Sequence, residues 1–170
     1  MRTVLSTLLC ALALLAADPI RRAPGFALPD VKAEFHDLAD YRGKVVILEF
    51  MQTTCPHCAA FTTVLEKVQK KYGDKVAILA VVHPPDNQNT ISEYISGHKI
   101  TYPVLFDQGQ MAFSYLKTVK FDLPQAFLID AKGMIRRQFE YGPMTRDVFE
   151  GDALIPEIDR LFAPAGVTKK

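Results

Sequence analysis

Cys55 and Cys58 stand three residues apart in the stretch Cys55-Pro-His-Cys58, where an unbroken apolar run, Val45 to Met51, gives way to a helical pattern. Such a pair can make and break a disulfide. A disulfide needs Cα atoms roughly 4.4–6.8 Å apart, and residues i and i+3 on the first turn of a helix sit on one side at about that separation. The bond therefore opens and closes with little backbone movement. A helix N-terminus also carries unpaired N–H groups and the positive end of the dipole, so a thiolate at Cys55 is stabilised there. Pro56 lacks an N–H, which costs little in a first helical turn. His57 brings a positive charge or a donor near the Cys55 sulfur. Cys58, one turn in, is expected to be more buried and to attack second.

Other chemistries use the same residues. A permanent disulfide is one, although a four-residue loop at a helix start is an uncommon place for it. Half of a zinc site is another, but no second cysteine pair follows downstream. Cys55 and Cys58 with His57 or His83 offer a Cu or Zn ligand set. Glu49, six residues before Cys55, interrupts an otherwise apolar strand. A carboxylate is expensive to bury as an ion; desolvation raises its pKa and suits it to general base work. Otherwise Glu49 reaches water at the rim of the sheet.

These residues need elements to hold them. Val45 to Met51 is expected as a buried strand, and the helix after the cysteines shows one apolar face of Cys58, Phe61, Leu65, Val68 and Tyr72. Lys70 and Lys71 in its last turn and Gly73 beyond them mark its end near Tyr72. Val76 to Val82 is a second continuous apolar run, expected as a parallel neighbour and ended by His83-Pro-Pro85. Upstream, Phe26 to Pro29 and Glu34 to Leu38 predict two short strands around a turn, and Tyr41 to Lys44 a turn before the central strand. Downstream, a helix is expected over Ile91 to His98 beginning near Thr90, a short strand over Tyr102 to Phe106 and a helix over Gln110 to Lys117. Leu123-Pro124 leads into a strand ending at Asp130. A turn with Gly133 in the left-handed region follows, and then a returning strand from Met134 to Tyr141. Alternation along that strand puts Ile135, Phe139 and Tyr141 on one face, and Arg136, Gln138 and Glu140 on the other. Thr145 is placed to cap a final helix to Phe162, which Pro156 should kink or split. The order of elements predicts an α/β fold, a mixed central sheet with helices on both faces.

With 170 residues and 49% hydrophobic content, the chain is long enough for one domain with its own core. The net charge of +1 gives no sign of nucleic-acid binding. Of the three cysteines, Cys10 lies in an apolar segment from Val4 to Ala17 that follows Arg2. That segment, 1–17, is expected to be a signal peptide or an N-terminal membrane anchor. It is shorter than the roughly 20 residues that span a bilayer comfortably, and cleavage after Ala16 or Ala17 would leave Leu14 or Leu15 at the third position back. Either way the domain is expected outside the cytoplasm, in the periplasm, secreted or membrane-anchored. The expected organisation is a linker over 18–24, a domain over 25–163 and a C-terminal tail over 164–170.

Five stretches together carry a family resemblance: Ala23-Pro-Gly-Phe-Ala-Leu-Pro, Tyr41-Arg-Gly-Lys-Val-Val, Cys55-Pro-His-Cys58, Tyr102-Pro-Val-Leu-Phe-Asp107 and Leu123-Pro-Gln-Ala-Phe-Leu-Ile-Asp-Ala-Lys-Gly133. Over about Ala23 to Phe162 the chain resembles the thioredoxin superfamily. More narrowly it resembles the extracytoplasmic TlpA/ResA-like thiol-disulfide oxidoreductases of the redoxin, AhpC/TSA-related group. The resemblance implies a three-layer α/β/α sandwich with an N-terminal β-hairpin extension. It implies that Pro124 is a cis-proline facing the cysteines, with Leu123 and Pro124 binding an extended substrate segment as an added strand. It also matches Glu49 to the buried acid that takes the proton of the second cysteine. The implied substrates are protein disulfides or dithiols, with a membrane redox partner and no organic cofactor. Phe50-Met51 and Thr54 depart from the aromatic residues usual at those positions. The dipeptide Pro56-His57 is closer to the oxidising DsbA type than to the reducing TlpA/ResA type. A peroxiredoxin-like peroxidase shares the fold, but its reactive cysteine is preceded by Thr or Ser three residues back and Pro seven back. Here those positions hold Gln52 and Leu48.

Overall fold

The computed structural model describes residues 21–118, 120 and 122–163. The expected leader at 1–17 and tail at 164–170 lie outside the described residues.

Two strands form the middle of the sheet, β4 (Val45–Met51) and β5 (Val76–Val82), and every residue of both is buried. Both therefore appear in the sequence as continuous apolar runs, as parallel strands covered on both faces do. Strand β6 (Val104–Phe106) pairs in parallel with β5. On the other side β7 (Gln125–Ile129) runs antiparallel to β4, β8 (Met134–Glu140) antiparallel to β7, and β1 (Arg21–Arg22) antiparallel to β8. The order across the sheet is β1-β8-β7-β4-β5-β6. The sheet thus takes in Arg21 and Arg22, inside the segment expected to be linker. A separate hairpin of β2 (Ala27–Pro29) and β3 (Phe35–Asp37) is tied to the β6 edge by the bridge Asp30–Leu105.

Helices α1 (Pro56–Tyr72), α2 (Gln88–His98), α4 (Arg146–Glu150) and α5 (Leu154–Phe162) pack on one face, with Phe61, Leu65, Tyr94, Phe149 and Ile158 in a common core. The other face is covered by α3 (Gln110–Leu116), through Met111, Ala112 and Tyr115, and by the short 3₁₀ turn at Leu38. This is the expected mixed α/β sandwich.

Four local expectations need correction. Ile135 and Phe139 do not share a face: Ile135 joins the α3-side core and Phe139 the α1-side core. The register with β7 slips between Leu128 and Ile129, and one extra residue inverts the period-2 alternation. The last helix does split, but at Gly151–Ala153 rather than at Pro156. Pro156 stands in the first turn of α5, where its missing N–H leaves no intrahelical bond unmade. Thr145 makes no side-chain cap, because its hydroxyl donates to the Glu140 carbonyl. Helix α2 starts at Gln88, before Thr90, because Asn87 is the cap. The Asn87 side chain accepts from Asn89 N and Thr90 N, and Thr90 Oγ1 accepts from Asn87 N, a reciprocal capping box.

Candidate functional site

Cys55 is the N-cap of α1, with φ −85° and ψ 115°, and its sulfur accepts the backbone N–H of Cys58 at 3.1 Å. Pro56 is the first helical residue. The two cysteines form a disulfide with Cα atoms 5.2 Å apart, within the range such a bond needs. They are unequal: Cys58 is fully buried, whereas Cys55 is only partly so. A reagent from solvent meets Cys55 first.

The turn that carries Cys55 is anchored from below. Thr53 donates through its backbone N–H to Asp86 Oδ2 at 2.9 Å and through its hydroxyl to Asp86 Oδ1. Asp86 lies between β5 and α2 and also accepts from the Thr90 hydroxyl. No spacing rule in the sequence joins Thr53 to Asp86, which are 33 residues apart.

Facing the cysteines is the turn before β7. The Leu123–Pro124 peptide bond is cis, and the Leu123 carbonyl oxygen is 3.8 Å from the Cys55 sulfur. Pro124 is buried, and its carbonyl accepts the backbone N–H of Tyr141 at 3.2 Å. The Pro84–Pro85 bond is also cis, without any signal in the sequence that would have separated it from an ordinary proline pair.

His57 projects from the first turn of α1 into a cluster supplied by the far end of the chain. Its ring stacks on Tyr141 with centroids 4.0 Å apart and planes at 22°. Its Nδ1 is 3.0 Å from Glu150 Oε1, the atom that also accepts the Tyr141 hydroxyl at 2.6 Å. The hydrogen bond from Tyr141 is the first cause holding the Glu150 carboxyl below its ordinary range, with His57 and Arg146 adding to it. Nothing local in the sequence marks Tyr141 or Glu150 as partners of the cysteine motif; Glu150 is 93 residues from His57.

Glu49 is fully buried and does not reach water. Neither carboxylate oxygen has a hydrogen-bond partner, and burial pushes its pKa up to about 8. By the alternation of β4, Glu49 points to the same side as Ile47 and Met51, the core that contains Cys58. The Thr62 hydroxyl in that layer donates to the Cys58 carbonyl and lies 2.9 Å from the Tyr94 hydroxyl. The charge of an ionised Glu49 is felt by both Tyr94 and Tyr102.

The ligand set of Cys55, Cys58 and a histidine is not gathered here. Among the described residues, the group of potential metal ligands lying within 4.8 Å of one another is Asp30, Glu34 and His36, on the β2–β3 hairpin. His83 Nδ1 lies 2.8 Å from the Pro84 carbonyl oxygen. No helix of the described residues is long and apolar enough to cross a membrane.

Known proteins resemble this chain in sequence and fold. Residues 19–138 match the model of the AhpC/TSA family. The thioredoxin-like protein YneN of Bacillus subtilis is 30% identical over 132 residues, covering 76% of this chain and 75% of that protein. The thiol-disulfide oxidoreductase ResA of Geobacillus kaustophilus is 30% identical over 131 residues, 75% of this chain and 72% of that protein. A crystal structure from Chlorobium tepidum, described as a thiol:disulfide interchange protein DsbE, superposes with a TM-score of 0.71 at 28% identity. It covers 87% of this chain and all (100%) of that one. A cysteine pair at a helix start, the Leu123–Pro124 turn against it and this breadth of similarity lead to one assignment: the chain belongs to the AhpC/TSA family, among its thioredoxin-like thiol-disulfide oxidoreductases.

Proposed function

We propose that the chain reduces or oxidises cysteines of proteins outside the cytoplasm, using Cys55 and Cys58 as its redox group. The observation that carries this reading is the inequality of the two sulfurs: one partly exposed at a helix N-terminus, the other buried one turn along. The apolar segment Val4 to Ala17 supports export.

In the reducing direction the Cys55 thiolate attacks a substrate disulfide. One substrate sulfur leaves as a thiol and a mixed disulfide remains. Cys58 then gives up its proton, attacks the Cys55 sulfur and releases the second substrate thiol. Two electrons have passed from the dithiol to the substrate, and Cys55 and Cys58 are left joined, as they are in this structure. The dithiol is itself the redox group, so the exchange calls for no organic cofactor. Glu49 is the acceptor for the Cys58 proton. Burial raises its proton affinity from 4.5 to about 8, which suits it to general base work near neutral pH. Leu123 and Pro124 present the backbone edge on which an extended substrate segment lies beside Cys55. A membrane redox partner restores the spent form of the pair. Pro56 and His57 tune the thiolate.

Incubation of Cys58→Ser with a protein disulfide substrate is expected to accumulate a mixed disulfide through Cys55, and Cys55→Ser to form none. The wild-type pair is expected to equilibrate with glutathione buffers. A pair that cannot be cycled by glutathione, with no trapped complex, would overturn the proposal.

A further inference from the structure

Taken alone, Cys-Pro-His-Cys implies an oxidising pair. A positive imidazole beside Cys55 stabilises the thiolate, hence the reduced form, hence the tendency to take electrons. The fold, however, places a counter-charge on that imidazole. Glu150 Oε1 sits 3.0 Å from His57 Nδ1, on the α4 helix that packs against α1. Tyr141 holds both partners: its hydroxyl donates to the same Oε1 at 2.6 Å, and its ring lies flat on the imidazole. Its backbone N–H meanwhile ties it to the Pro124 carbonyl. The other carboxylate oxygen, Oε2, is 3.9 Å from Arg146 Nε. His57 is thus fixed by groups from the β8–α4 region and is not free to serve the Cys55 sulfur alone.

We propose that Glu150 and Tyr141 are positioning residues for His57, fixing its ring and balancing its positive charge, so that the Cys55–Cys58 pair is a weaker oxidant than its motif implies. The proposal rests on Cys55 being the exchanging sulfur. The electron count is that of disulfide exchange: the reduced pair and oxidised glutathione give the protein disulfide and two glutathione thiols. A charge that stabilises the Cys55 thiolate acts only on the reduced side of that balance. Glu150 offsets such a charge. The side chains of His57 and Glu150 are 46% and 32% exposed, so solvent screens the effect and it falls with added salt.

The test is equilibration of the full chain with glutathione at pH 6. Glu150→Gln is expected to shift the equilibrium toward the reduced form by about tenfold, ~30 mV for a two-electron couple. The shift should shrink in high salt. Tyr141→Phe, which keeps the ring and loses the hydroxyl, is expected to give a smaller shift of the same sign. In a His57→Ala background the Glu150→Gln shift should largely vanish. An unchanged or more reducing Glu150→Gln protein overturns the proposal. A shift that persists without His57 also overturns it, because Glu150 would then act on Cys55 directly. A wild-type pair that glutathione cannot cycle would instead sink the disulfide-exchange reading beneath it.

Discussion

Strand β4 sends Val46, Leu48 and Phe50 to one face of the sheet, and Val45, Ile47, Glu49 and Met51 to the other. On the α3 side the neighbours of β4 are mainly rings and aliphatic groups, with the buried Gln125 amide opposite Phe50 and its Oε1 unpaired. Phe50, Tyr115 and Phe127 pack edge-on and tilted with centroids 5.2–5.9 Å apart, the geometry that aromatic quadrupoles favour. The one hydroxyl in that trio, on Tyr115, donates to the Pro24 carbonyl at 2.8 Å. On the α1 side a comparable density of apolar side chains surrounds a carboxyl with neither oxygen paired, that of Glu49. One face is therefore largely aromatic and aliphatic, while the other keeps a costly buried acid in the core that contains Cys58. Buried polar atoms are normally paired, and a carboxyl with both oxygens unpaired is the sharpest exception between the two faces.

Substitutions on the two faces test this contrast. The largest effect is expected from Phe50→Ala, which empties the aromatic trio; chemical denaturation should show a loss of about 3–5 kcal/mol. Little loss would mean that the α3 side is not the stabilising face. Next is Glu49→Gln. The folded protein holds a proton on Glu49 from its ordinary value of 4.5 up to about 8, whereas the unfolded chain releases it near 4.5. Stability attributable to this group is therefore present at low pH and lost as pH rises through that window. At ~1.4 kcal/mol per pKa unit, wild type should fall relative to Glu49→Gln by about 3 kcal/mol between pH 5 and pH 8. Parallel stability profiles would show that the carboxyl is not isolated in the fold. The smallest effect comes from a hydroxyl deletion. Tyr115→Phe, losing the hydrogen bond to the Pro24 carbonyl, should cost about 1 kcal/mol. No cost would mean that this hydroxyl adds nothing to the α3 face.

The apolar runs at Val45–Met51 and Val76–Val82 show in the sequence as strands because both faces of those strands are covered. The helix after Cys55 shows because its buried positions recur at helical spacing and Gly73 ends it at φ 53°. Glu49 stands out because one carboxylate in an apolar strand contradicts its surroundings. Alternation in β8 misleads because a bulge depends on the partner strand, which no local pattern encodes. The end of α4 misleads for a related reason: Pro156 carries the visible helix-breaking signal, while the chain turns earlier, at Gly151–Ala153.

The sequence by itself determined the strand–turn–helix with two cysteines at its corner, because hydrophobic period, a cap position and a three-residue spacing are local properties of a chain. What surrounds that corner is set by the packed fold. It brings the Leu123–Pro124 turn against Cys55, seals Glu49 from water, clamps Thr53 to Asp86 and sets Tyr141 and Glu150 on His57. Those contacts join residues tens of positions apart, and their free energies depend on distance and burial, which exist only once the sheet has been assembled.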